Sequence, residues 1–189
     1  MPPLKYLINF LDKSKIKYEI LEHRTVYTAM DKARTLHLEP KIVVKTAVVK
    51  FNNSYALALI PADKLLAQNK LKISVNQWRR KREPASNASP AAKTAIWLSG
   101  WRSNAGREKA VKKIDFASET WMKKNLSGKV GAAPPFGQLF KLPVFIDNIL
   151  LRQSKLIVNA GDYNFSLKLT GASFKKVMGE AVKGSFAKQ

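Results

Sequence analysis

Leu4, Leu7, Ile8 and Leu11 recur at helical spacing after Pro2 and Pro3, which predicts an amphipathic helix that stops near Ser14. Tyr18 and Ile20 alternate with polar neighbours as a short strand. A connection over His23 to Thr28 leads to a second helix, Thr28 to Leu36, with Thr28 as its cap and Pro40 ending the segment. Ile42 to Phe51 is rich in β-branched residues. It is followed by Asn52, Asn53 and Ser54 and then by Tyr55 to Ile60, the pattern of two antiparallel strands joined by a short turn. Further on, Ser118 is placed to cap a helix running to about Leu126, and a Gly/Pro loop covers Ser127 to Gly137. Short strands are predicted at Pro143 to Asp147, Lys155 to Asn159 and Phe165 to Leu169, with a closing helix from Ser173 to Val182. Helices and strands alternate irregularly around one hairpin. The expected architecture is therefore α/β, a single domain over 1–189 built on a mixed β-sheet flanked by helices rather than a doubly wound parallel one.

Between Val75 and Lys113 no hydrophobic period is evident. Arg79, Arg80, Lys81 and Arg82 stand in a row, then come Pro84, Pro90 and a scatter of Ala, Ser and Asn. The stretch holds ten Lys or Arg against two Glu, a net +8 of the chain's +21, and Trp78, Trp97 and Trp101 punctuate it. Composition favours a flexible basic insertion at about 76–110, with Arg79 to Arg82 as its RNA-binding candidates. The full charge, 34 Lys plus Arg against 13 Asp plus Glu over 189 residues, points to a polyanionic partner. With no cysteine, disulfides, thiolate metal sites and Cys nucleophiles are excluded, and two well-separated histidines make a His-rich metal centre improbable. Neither a metal nor a cofactor is expected. No run approaches the 18 or more apolar residues needed to span a bilayer, and the first residues lack a secretory pattern. A soluble, cytoplasmic monomer with no membrane partner is the expectation.

Two features carry candidate chemistry. Lys45 lies inside Ile-Val-Val-Lys-Thr-Ala-Val-Val, where an ammonium costs free energy unless an anion or an acceptor receives it; a lysine guarding a sheet edge is the competing reading. In Val130-Gly131-Ala132-Ala133-Pro134-Pro135-Phe136-Gly137, Gly131 can take positive φ and three N–H groups precede the first proline. Such a loop can aim amides at an oxyanion, although Gly/Pro-rich loops are more often ordinary turns. His23 and Asp147 are weaker candidates, since a lone His after a strand is usually structural and an Asp at a strand end usually caps a turn. No serine stands in a Gly-x-Ser-x-Gly elbow, so a Ser/His/Asp triad cannot be assembled.

Taken together, Glu22-His23, Tyr27-Thr28-Ala29, Val44 to Lys50, Leu57 to Ala62, Phe116 to Glu119, Gly131 to Gly137, Pro143 to Asp147 and Asn159-Ala160-Gly161 stand in the order and spacing of the YbaK family. The sequence thus resembles aminoacyl-tRNA deacylases related to the editing domain of bacterial prolyl-tRNA synthetase, over nearly the whole chain except about Asn76 to Ala110. The resemblance implies hydrolysis, in trans, of the ester joining an amino acid to the terminal ribose of mischarged tRNA, with a synthetase as a possible partner. It places Lys45 on the carbonyl or phosphate end of the substrate and Gly131 in the loop. Thr28, Thr46, His23, Ala132, Ala133, Pro135, Phe136, Gly137, Asp147 and Gly161 become substrate-binding candidates. It also implies a water attacking with help from substrate hydroxyls or the free amino group. One departure stands out: relatives with the same loop often carry a His two residues after the Ala-Gly pair, where this chain has Tyr163. The alternative functional reading is a catalytically impaired, basic tRNA- or RNA-binding module of the same fold; a role at anionic membranes is weaker, because Arg79 to Arg82 are not set in an evident amphipathic helix.

Overall fold

The computed structural model describes residues 5–82 and 110–189. In chain order the elements are α1 (Lys5–Lys13), β1 (Tyr18–Glu22), α2 (Ala29–Thr35), β2 (Val44–Phe51), β3 (Ser54–Pro61), β4 (Leu65–Leu66) and α3 (Gln68–Arg82). After the undescribed stretch come β5 (Asp115–Phe116), α4 (Glu119–Asn125), β6 (Val144–Asp147), α5 (Asn148–Leu151), β7 (Lys155–Asn159), β8 (Phe165–Thr170), α6 (Gly171–Val177), β9 (Val182–Gly184) and β10 (Ala187–Lys188). The anticipated hairpin forms with Val44 opposite Pro61 and Phe51 opposite Ser54, and Asn52 takes a φ of 51° in its turn, a left-handed conformation that Asn tolerates well. Both anticipated caps are made: Thr28 Oγ1 accepts from the Asp31 amide and Ser118 Oγ from the Trp121 amide.

A five-stranded sheet runs in the order β5-β2-β3-β6-β9. The pairs β3–β6 and β6–β9 are parallel and the other two antiparallel, so the sheet is mixed as the sequence predicts. A three-stranded antiparallel sheet, β1-β8-β7, meets it through a parallel bridge between Val43 and Ile157, and β4 pairs with β10. Alternation along the hairpin explains the two main cores. Val44, Val48, Leu57 and Leu59 face one side, where they join Leu7 and Leu11 of α1 and Phe174 of α6. Val49, Phe51, Ala56, Ala58 and Ile60 face the other, where they join α3. β3 is thus buried on both faces, and its continuous apolar run follows from that position.

Helix α3 is the main departure from the sequence reading. The basic stretch begins later than composition implies, because Leu71, Val75, Trp78 and Arg79 fall on one helical stripe and are buried, with Trp78 edge-on to Phe145 at 5.5 Å. Val111 and Ile114 return to the same core, and Asn76 ties the two ends together by exchanging hydrogen bonds with the Val111 backbone at 2.9 and 3.1 Å. Trp97 and Trp101, and the rest of 83–109, lie outside the described residues. The closing helix is also shorter than expected. Thr170 caps it earlier, at Gly171, and after Met178 the chain leaves to add β9 beside β6. No helix among the described residues is long and apolar enough to cross a membrane.

Candidate active site

Among the described residues, the first part of β2 has an open flank. β5 pairs only with Val49 and Lys50, and the Ala117 amide donates to the Val48 carbonyl, so the even-numbered residues of β2 turn their backbone groups away from β3. Beside this open edge lies a cavity of about 490 Å³, walled by Lys45 and Thr46 of β2, by Val26 to Met30 and Lys32 around α2, by Gly131 and Ala132, and by Asn159 at the end of β7 with Asp162 and Tyr163 beyond it. Lys45 and Thr46 point to opposite faces of the strand, yet both reach the cavity because it opens at the strand's edge. Lys45 Nζ donates to the Lys64 carbonyl at 2.7 Å, and burial pushes its pKa down, opposed by the charge of Asp63. Thr46 Oγ1 is buried without a hydrogen-bond partner among the described residues.

The loop after α4 is seated against the turn after β7. Gly128, at φ 104°, lies so close to Gly161 that a Cβ there would meet the Gly161 carbonyl oxygen at 2.7 Å. Lys129 N–H donates to the Gly161 carbonyl and Gly161 N–H to the Ala132 carbonyl, each at 3.0 Å. Gly131 adopts φ 84°. Of the three amides available before the prolines, that of Ala132 is used inside the turn on the Lys129 carbonyl, while those of Gly131 and Ala133 have no partner among the described residues. Of these two residues, Gly131 lines the cavity.

Several candidates are brought to this cavity and several are not. Lys45, Thr46, Thr28, Gly131 and Ala132 line it; the Thr28 hydroxyl is engaged in its cap and donates to Asp31 Oδ2 at 2.6 Å. His23 stands behind the wall. Its Nδ1 donates to the Arg24 carbonyl and its Nε2 accepts from Ser166 Oγ, both at 2.9 Å, while burial lowers its pKa. Phe136 is fully buried against Phe10, and Gly137 belongs to a separate small cavity of about 130 Å³. Pro135 is buried in the same loop and does not line the main cavity. Ala133 serves through its carbonyl, which accepts from Asn159 Nδ2, and Gly161 through the backbone contacts above. Asp147 is 2% exposed and spends its carboxylate on the amides of Ile149, Phe186 and Ala187. Of the basic row, Arg80 and Lys81 are exposed, whereas Arg79 is buried on the inner stripe of α3.

Lys32 and Asn159 are absent from the sequence-derived candidates. Lys32 is 4% exposed and donates to Asn159 Oδ1, and Asn159 Nδ2 in turn reaches the Gly131 and Ala133 carbonyls at 3.4 Å. Burial brings the Lys32 pKa down to about 8. The available signal was its place beside Ala33 on the inward face of a short helix, where Ala29 and Leu36 continue the apolar stripe. At the other end, Tyr163 packs edge-on to Tyr27 at 4.8 Å and donates its hydroxyl to the Val130 carbonyl at 2.7 Å. Asp162 ion-pairs with Lys129 at 2.9 Å; burial opposes its ionisation, but the Lys129 bond and the Asn164 amide outweigh that and hold its pKa low.

The model of the aminoacyl-tRNA editing domain family matches residues 104–177, a segment holding the Gly131 loop, β6, β7 and β8. Among solved structures, a hypothetical protein superposes with a TM-score of 0.70 at 18% identity, covering 97% of this chain and 100% of its own. A candidate trans-editing enzyme for prolyl-tRNA synthetase superposes with a TM-score of 0.64 at 18% identity, covering 97% of this chain and 95% of its own. The chain has the YbaK-like editing-domain fold. A search of curated proteins returns no match. In this editing fold the cavity lies between the hairpin strand that carries Lys45 and the loop that carries Gly131, so elements distant in sequence form its two walls.

The loop gives a direct test. Gly131→Val meets no close neighbour, since the nearest atom to a new Cβ is the Tyr27 carbonyl oxygen at 3.8 Å, so its effect comes from the positive φ rather than from a clash. If the cavity hydrolyses an aminoacyl ester with this loop as its oxyanion site, roughly a tenfold loss in kcat with KM nearly unchanged is the expected result in steady-state kinetics. A rise in KM alone would make the loop a wall of the binding site.

Proposed function

We propose that the protein is a trans-acting deacylase that hydrolyses mischarged aminoacyl-tRNA. The observation that carries this reading is that Lys45 and Gly131 line one cavity within an editing-domain fold. In this reading the ester carbonyl lies between the Lys45 ammonium and the Gly131 amide, which stabilise negative charge as water adds to the carbonyl carbon. Collapse breaks the carbon–oxygen ester bond and releases the free amino acid and the ribose hydroxyl, with the water's protons passing to the departing oxygen and to solvent. No imidazole lines the cavity, and the Tyr163 hydroxyl is committed to Val130, so proton transfer falls to water and the substrate's own hydroxyl or amine. The test is release of amino acid from a panel of mischarged tRNAs. Tight tRNA binding without release from any member would favour the RNA-binding module instead.

The positive charge supports a tRNA partner, and its distribution makes a prediction. Six of the ten basic residues of the 75–113 stretch, Arg79 to Arg82 with Lys112 and Lys113, lie in the described parts, which leaves residues 83–109 with four Lys or Arg against two Glu. Replacing 83–109 by a short Gly/Ser linker is therefore expected to change the salt dependence of tRNA binding little. Arg80→Ala and Lys81→Ala are each expected to flatten the slope of log affinity against log salt by about 0.7 to 0.9. Filter binding between low and moderate salt measures both.

A further inference from the structure

The cavity contains a second ammonium that the deacylase mechanism does not use. Lys32 is buried and lines the cavity, and its ammonium makes one hydrogen bond among the described residues, to the neutral side chain of Asn159, so its remaining protons have no acceptor there. Groups that could neutralise it are committed elsewhere. On its own helix Asp31 is held by Thr28 and Arg34; on the turn after β7 Asp162 is ion-paired with Lys129; just after β1 the neighbouring titratable group is His23, which is neutral or positive. Lys45, across the cavity on β2, adds a second positive charge and likewise rests on a carbonyl rather than a carboxylate. A buried ammonium with open donors and no carboxylate partner is costly when the cavity is empty, and an anion placed beside it would offset that cost.

Building on the deacylase reading, we propose that Lys32 is a substrate-binding residue that receives an anionic oxygen group of the substrate. Two parts of an aminoacyl-tRNA carry such a group: the carboxylate of an acidic aminoacyl side chain and the terminal phosphodiester. Every aminoacyl group brings its own α-ammonium toward these two lysines, and either anion offsets the added positive charge. The depressed pKa of Lys32 agrees with this arrangement, because an arriving anion would favour the charged amine and draw a proton from solution at mildly alkaline pH.

Calorimetric titration of the full chain with two probe pairs tests the proposal: glutamate against glutamine, each with its α-carboxyl blocked as the primary amide, and adenosine 5′-monophosphate against adenosine. In one pair the anionic member is expected to bind at least roughly tenfold more tightly than its neutral counterpart, with net proton uptake at pH near 8.5 seen by comparing two buffers. Lys32→Met is expected to abolish both preference and uptake, and Lys32→Arg to keep the preference; Lys32→Gln replaces the Met variant if that one fails to fold. A preference in the glutamate pair identifies the side-chain carboxylate, and one in the nucleotide pair identifies the phosphate. Equal binding within both pairs overturns the proposal, as does a preference that survives Lys32→Met or Lys32→Gln, which would assign the anion to Lys45. These are equilibrium measurements, so a Lys32-dependent preference without hydrolysis of any charged tRNA would overturn the deacylase reading alone. Hydrolysis without the preference would overturn the anion site alone.

Discussion

Lys45→Ala is expected to lower deacylation by one to two orders of magnitude while leaving the melting temperature within a few degrees of the parent. A charge-assisted hydrogen bond to the reacting carbonyl or a phosphate is worth roughly 1.5 to 3 kcal/mol, which converts to that range of rates. The fold loses little, because the hydrogen bond given up ties Lys45 to the Lys64 carbonyl at the partly exposed cavity edge, and Ala is tolerable in a strand already paired along β3. Removing the ammonium also relieves its own desolvation. Single-turnover release of amino acid, beside thermal melts, measures both effects. Unchanged release would return Lys45 to guarding the open edge of β2.

Asp147→Ala is expected to cost about 3 kcal/mol or more of stability. One buried carboxylate caps α5 through the Ile149 amide at 2.9 Å and holds the amides of Phe186 and Ala187, each at 2.7 Å. These bonds fasten the segment that carries Phe186 into the core shared with α3 and places β10 beside β4. Hydrogen bonds to charged acceptors are each worth roughly 1.5 to 3 kcal/mol, and substitution strands buried donors as well. Asp147→Asn should recover part of the loss, since its single carbonyl oxygen can still accept. Denaturant melts of the two variants test this. If Asp147→Ala retained full stability yet lost substrate binding, the carboxylate would belong to the site after all, as the family resemblance implied.

Signals that act over a few residues were legible without the structure. The Thr28 and Ser118 caps, the hairpin around Asn52 and the strands over 144–147, 155–159 and 165–170 each arise from side chains that set the conformation of their own neighbourhood. The Lys45 strand and the Gly131 loop could be nominated by chemistry, because an ammonium in an apolar strand and a glycine before prolines are unusual wherever they fall. Helix α3 escaped notice for the opposite reason. Four consecutive basic residues mask a stripe made of Leu71, Val75 and Trp78, and that stripe becomes visible only when its partner Phe145 is in place.

By itself, then, the sequence determined the local elements, the mixed sheet they imply and two chemical groups of the candidate site, since propensity, capping and alternation depend on residues close along the chain. Tertiary structure decided which charged groups are buried and which face the same space. Lys32 meets Asn159 across 127 positions, and Asp147 reaches Phe186 across 39, and no local pattern distinguishes either from a solvated charge. Burial is set by what packs over a residue, so the second ammonium of the cavity and the structural role of the aspartate emerge only once the two sheets and the Gly131 loop have closed around them.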